Sequence, residues 1–115
     1  MTQAIKVLGQ VQLGVGLTTI YTAPSQPPNA KAAVQTLWIC NTEAANRTVT
    51  IRVGTGTLTV ANSLLEGTLI EANVVYIIGD QQGFGLLLNA GESIQGLSDS
   101  ANKLTVSVFG WEQYD

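Results

Sequence analysis

A two-residue alternation of apolar and polar side chains constrains this chain more than any other feature. From Thr48 to Val53, Val49, Ile51 and Val53 alternate with Thr48, Thr50 and Arg52. Near the C-terminus, Leu104, Val106 and Val108 alternate with Lys103, Thr105 and Ser107. Successive side chains of a strand point to opposite faces, whereas a helix face recurs every three to four residues. Both runs therefore predict strands with one buried face, and they place Val49, Ile51, Val53, Leu104, Val106 and Val108 in the core. The residue types agree. The chain has 13 Thr, 11 Val and 8 Ile, and β-branched side chains pack well on a pleated surface.

Turn residues divide the remainder into short pieces. Lys6 to Leu13, with Gly9 inside it, reads as an opening strand ended by Gly14-Val15-Gly16, and Thr18 to Thr22 reads as a second. Every proline lies between Pro24 and Asn29, a stretch that predicts a long loop rather than an interior strand. Val34 to Cys40 carries apolar residues on both parities and is expected to be a central strand, with Leu37 and Ile39 on one face and Val34, Trp38 and Cys40 on the other. Trp38 is expected in the core, with Cys40 beside it as an inert buried thiol. Gly54-Thr55-Gly56 is expected to turn a hairpin into a strand over Thr57 to Val60. Asn62 to Gly67 is too short for more than a helical turn. Asn73 to Ile78, Leu86 to Leu88 and Ser93 to Leu97 read as further strands, separated by turns at Gly79 to Gly83 and Asn89 to Glu92. Phe109 and Trp111 break the parity of the last run, which predicts a bulge or a second apolar surface.

These pieces predict eight or nine short strands and no helix of ordinary length. The expected fold is all-β, an antiparallel jelly-roll-like β-sandwich, favoured over a closed barrel that would show the same alternation. With one cysteine, the paired-cysteine core of an immunoglobulin sandwich is absent. At 115 residues the chain suffices for a single domain over 1–115.

Composition then removes function classes. The absence of His excludes imidazole metal sites and His-based nucleophile activation within the chain. A lone Cys40 forms no intrachain disulfide and no cysteine metal cluster. Three lysines and two arginines, widely spaced, cannot build a nucleic-acid surface. No apolar stretch approaches the ~20 residues needed to span a bilayer, and the opening segment MTQAIKVLGQVQLGVGL does not look like a signal peptide. The chain is expected to be a soluble, non-enzymatic domain without cofactor, nucleic-acid or membrane partner. Its charged share of 11% is well below the usual value of about 25%, which points to surface covered by another molecule.

Candidate sites are few. Asp80, Glu92, Asp99 and Asp115 lack calcium-loop spacing, and Asp99, Ser100 and Asn102 read as an ordinary polar turn. Gly54-Thr55-Gly56-Thr57 lacks the pattern and following helix of a phosphate loop. Asn46-Arg47-Thr48 formally matches a glycosylation acceptor. The terminal patch of Phe109, Trp111 and Tyr114, with Glu112 and Asp115, would suit a partner surface if the last strand lies at a sheet edge. Trp111, Tyr114 and Pro27, the last in the long loop, are the candidate protein-contact residues.

Three segments, VQLGVGLTTIYTAPS, AAVQTLWICNTEAANRTVTIRV and LLLNAGESIQGLSDSANKLTVSVFGWEQ, carry a family likeness. They include Tyr21-Thr22-Ala23-Pro24 after the opening strands, Cys40-Asn41-Thr42 at the end of the central strand, and Leu88 to Ile94 before the penultimate strand. In these features the chain resembles small virion structural proteins of tailed bacteriophages, of the head decoration or tail-associated type. The resemblance implies a virion component, with a capsid decoration or cement protein on the outer surface of the capsid as the first expectation. Its partners would be the major capsid protein or other virion subunits, and it would be synthesised in the host cytoplasm. A tail, baseplate or fibre component is the alternative within that class. A carbohydrate-binding sandwich using Trp111 or Tyr114 as a stacking platform is the alternative outside it. Low charge and an aromatic patch also predict a homo-oligomer, dimer or trimer.

Overall fold

A computed structural model describes residues 6–25, 30–79 and 86–113. Nine strands account for most of them: β1 (Lys6–Gln12), β2 (Thr18–Thr22), β3 (Lys31–Asn41), β4 (Arg47–Gly54), β5 (Ser63–Ile70), β6 (Val74–Ile78), β7 (Leu86–Asn89), β8 (Ser93–Ser98) and β9 (Leu104–Gln113). One turn of 3₁₀ helix, Val60–Asn62, precedes β5. All pairings are antiparallel. One sheet has the order β1-β9-β3-β6, with β7 also on β3, and the other has the order β2-β8-β4-β5.

β6 and β7 pair with different halves of β3, β6 with Leu37 to Asn41 and β7 with Lys31 to Val34. They occupy one strand position, so the nine strands fill eight places in two four-place sheets. The chain alternates between the sheets at every step except β4 to β5 and β6 to β7. This is the path of a jelly roll. The expected sandwich is present, and the strand count matches.

The core lies between the sheets. Val34, Leu37, Ile39, Leu88, Leu104, Val106 and Val108 line it from the five-stranded sheet, and Ile20, Val49, Ile51, Ile70 and Ile94 from the other. Val53 packs against it, partly buried. Each fully buried aliphatic side chain of this kind contributes about 1.5–3 kcal/mol. Asn41, the buried end of β3, closes one end of the sandwich. Its amide nitrogen donates to the carbonyls of Ala45, Ile70 and Glu71, and its oxygen accepts from the Glu43 amide. A buried side chain thereby satisfies backbone groups from β5 and the β3–β4 turn at once.

Three sequence expectations are corrected. Thr57 to Val60 is not a strand; after Gly54 the chain runs irregularly into the 3₁₀ turn, which Thr59 and Asn62 cap reciprocally. Asn62 to Gly67 is not a helical turn, because Ser63 onward belongs to β5. Gly67 misled the reading: it marks a bulge, with φ 61° and its amide donating to Thr50 Oγ1 3.1 Å away. The last strand is not at an edge, since β9 lies between β1 and β3. The expected bulge at Phe109 is present, but its extra residues belong to the neighbours. Leu8 is inserted in β1, between the partners of Phe109 and Val108, and Gln35 in β3, between the partners of Gly110 and Phe109.

Gly110 sits where this double irregularity presses the backbones together. A Cβ there would lie 2.0 Å from the Ala33 carbonyl oxygen, a contact that neither backbone can relieve without leaving the ladder. Gly110→Ala is expected to destabilise the protein by ~3 kcal/mol, the upper end of overpacking costs, as measured by urea unfolding. A loss below about 1 kcal/mol would show that β9 relaxes there freely.

Candidate assembly surface

The two outer faces of the sandwich differ in chemistry. On the four-stranded sheet, Arg52 on β4 aligns with Gln95 on β8, which aligns with Thr19 on β2. Arg52 also pairs with Glu66 at 3.3 Å. That face is mainly polar, as the outward half of an antiparallel sheet usually is, with Leu69 exposed on β5.

The five-stranded sheet also gathers apolar side chains on its outer face, among polar ones from β1 and β9. Registers place Trp38 between Ser107 and Ile77, Cys40 between Thr105 and Val75, and Ala33 between Trp111 and Leu87. Phe109 aligns with Val7 on one side and Thr36 on the other. Trp38, Cys40, Phe109 and Trp111 have the parity opposite to the buried Leu37, Ile39, Val106 and Val108, and the Gln35 insertion brings Ala33 to the same side, so these residues and their partners face outward. Trp38 is 43% exposed, and Val7, Val75, Ile77 and Leu87 are exposed with it. Trp38 meets Phe109 edge to face, ring centroids 5.5 Å apart and planes at 61°. Lys31, at one end of β3, is the charged side chain on this face among the described residues. Apolar surface gathered this way on one sheet, rather than scattered, marks an interaction surface.

The sequence expectation for Trp38 and Cys40 is therefore overturned. Trp38 is not core; it is the centre of the exposed face, and Cys40 beside it is half-buried. Apolar residues on both parities correctly mark a central strand, but the second face is covered by nothing within the chain. Trp111 is half-buried and outward on β9, in the same row as Ala33 and Leu87. Pro27, Tyr114, Asp80 and Asp115 lie outside the described residues. The exposed residues that sequence reasoning left unassigned, Val75, Ile77 and Leu87, had one usable signal. Val74 to Ile78 and Leu86 to Leu88 contain no polar residue with which an outward face could be wetted.

Elsewhere the polar chemistry is structural. Glu112 reaches Tyr21, whose hydroxyl donates at 2.6 Å, and Lys6 at 3.4 Å. Glu43 pairs with Arg47 and Lys103. Among the described residues no three His, Cys, Asp or Glu gather as a metal site. An open depression of about 260 Å³ lies beside Cys40, lined also by Asn41, Thr42 and Asn73 to Val75. Asn46 of the sequence-level glycosylation match accepts from the Ala72 amide.

Two measurements test this description. Trp38→Ala is expected to cost about 1 kcal/mol in urea unfolding and Leu37→Ala about 3, because only Leu37 leaves a core cavity; equal losses would return Trp38 to the core. Glu66 titrates below the usual glutamate value, chiefly because the Ser63 hydroxyl donates to it and further because Arg52 lies beside it. Its lowered value means a stabilisation present above the ordinary glutamate range and lost as pH falls through the lowered one. In carboxyl-detected NMR, Ser63→Ala should move the Glu66 midpoint upward; an unmoved midpoint would assign the shift to Arg52.

No protein-family model matches the chain, and no curated protein matches it. Among solved structures, it is similar to a chain from work titled as Bacillus endospore appendages forming a family of disulfide-linked pili. That match has a TM-score of 0.50 and 13% identity over 98% of this chain and 87% of the other. A chain from the structure of infectious bursal disease virus, Gx strain, matches with a TM-score of 0.49 and 9% identity over 96% of this chain; this chain spans 30% of that one. An exo-β-1,3-galactanase from Phanerochaete chrysosporium matches at 0.38, with 24% identity over 92% of this chain and 26% of the enzyme. At these identities the likeness is one of fold.

Proposed function

We propose that this chain is a non-enzymatic structural subunit of a viral particle, and specifically a capsid decoration or cement protein of a tailed bacteriophage. The observation that carries the reading is the apolar outer face of the five-stranded sheet, centred on Trp38, Phe109, Val75 and Ile77. A face nearly free of charge is covered at low desolvation cost, since few ionised groups must leave water. A jelly roll whose outer sheet face gathers apolar side chains suits shape and contact. The pilus structure among the fold neighbours supports an assembly role, and the phage resemblance of the sequence supports placement in a virion.

Decoration of a lattice rather than of a free subunit follows from avidity. Neighbouring shell subunits present several copies of one modest contact, and simultaneous engagement multiplies them. Trp111, Tyr114 and Pro27 are proposed as contact residues of this protein with the major capsid protein, alongside the Trp38 patch.

Cryo-electron microscopy of intact particles is the test. Density for the jelly roll is expected on the outside of the head, with the five-stranded sheet against the shell. Density confined to the neck, baseplate or fibre would overturn the decoration assignment. Glycan binding abolished by Trp111→Ala in a folded protein would replace it with a carbohydrate-binding module.

A further inference from the structure

Five strands form the edges of the two sheets, because β6 and β7 share one position; β1, β2 and β5 carry polar side chains, and β7 is four residues long and ends in Asn89. β1 presents Lys6, Gln10 and Gln12; β2 presents Thr18, Thr19 and Thr22; β5 presents Glu66, paired with Arg52. The charges on β1 and β5 discourage pairing with a further strand, whereas β2 is uncharged but lined by threonines. β6 is different. Its sequence is Val74-Val75-Tyr76-Ile77-Ile78, without charge, glycine or proline. It pairs with β3 on one side only among the described residues. Val74, Val75, Tyr76 and Ile77 are each 38–42% exposed.

We propose that β6 pairs antiparallel with β6 of a second copy about a two-fold axis at Tyr76, joining two five-stranded sheets into one. The proposal rests on the assembly-subunit reading and names the surface by which the subunit meets itself. A two-fold seam sets residue i against j and j against i, with only the axial residue facing its own copy, so any charge on the strand would recur within the seam; β6 carries none. Centring on Tyr76 places Val74 opposite Ile78 and Val75 opposite Ile77. These are apolar, largely β-branched pairs of the kind that stabilise neighbouring strands.

Both faces of the seam benefit. Val75 and Ile77 would meet their mates on the outer face beside Trp38, and Tyr76 would meet its own copy on the inner side. At 38–42% exposure these residues offer less than about 1,000 Å² over two copies, at or below the lower bound of a specific interface. The dimer should therefore be a reversible one. It would also double the apolar face offered to a third molecule, since the two outer faces become continuous.

Sedimentation velocity of the full chain, from about 1 to 300 µM, should show a monomer–dimer equilibrium. Val75→Lys and Ile77→Lys should each weaken it at least about tenfold, by setting lysines near one another across the seam. Leu69→Lys, on the β5 edge, should leave it unchanged, and near-UV circular dichroism should report an intact fold in all three. If the lysine variants unfold, hydrogen exchange on the unaltered chain decides, because β6 amides should slow as concentration rises. A monomer at every concentration would overturn the proposal. So would a dimer indifferent to both β6 substitutions, a dimer lost with Leu69→Lys, or β6 amides that exchange at the same rate in monomer and dimer. Each of those outcomes leaves the particle-subunit reading standing, which fails separately if the chain is absent from particles.

Discussion

The β3–β9 ladder is the interaction on which the rest of the structure depends. It runs from Lys31 opposite Gln113 to Asn41 opposite Leu104, and it joins strands far apart in sequence. On its inner side Leu37, Ile39, Val106 and Val108 form one continuous wall of the core. On its flanks it seats β1, β6 and β7, and at one end Asn41 ties it to β5 through backbone carbonyls. The ladder closes only after the chain has crossed repeatedly between sheets, so its loop-closure entropy must be met before its contacts form. Folding of such a chain is expected to be slow compared with that of a helical bundle.

The same ladder produces the asymmetry that bears on function. Because β3 carries apolar residues on both parities and β9 adds Phe109 and Trp111 to its outward one, burying one face presents apolar side chains on the other. The four-stranded sheet resolves its outer face with Thr19, Gln95, Arg52 and Glu66. The five-stranded sheet leaves Trp38, Phe109 and Trp111 outward, and its β6 edge adds Val75 and Ile77. An apolar face and an uncharged edge on the same sheet concentrate the means of association on one side of the molecule.

Where sequence reading failed, the failures share a cause. Gly67 looked like a terminator, yet a glycine with positive φ also serves a bulge inside a strand, and the Thr50 hydroxyl receives its amide only once β4 lies alongside. Trp38 looked like core because aromatic side chains usually are. Whether it is covered depends on a neighbour, and none of the described elements packs on that side. The terminal strand was open to an edge position, and sequence order could not place it, because connection order and spatial order diverge in a jelly roll.

Local alternation was legible from the residues alone. It determined that the chain is all-β, that Val49, Ile51, Val53, Leu104, Val106 and Val108 share inward faces, and that its strands are short and turn-bounded. Those properties depend on side-chain period and turn chemistry, which neighbouring residues carry among themselves. Only the tertiary structure decided that β9 is interior, that β6 and β7 share one strand position, and that Trp38 faces outward at the middle of an apolar sheet. Period states which side chains lie together on a face. What covers that face is set by distant strands, whose pairing is a property of the whole chain.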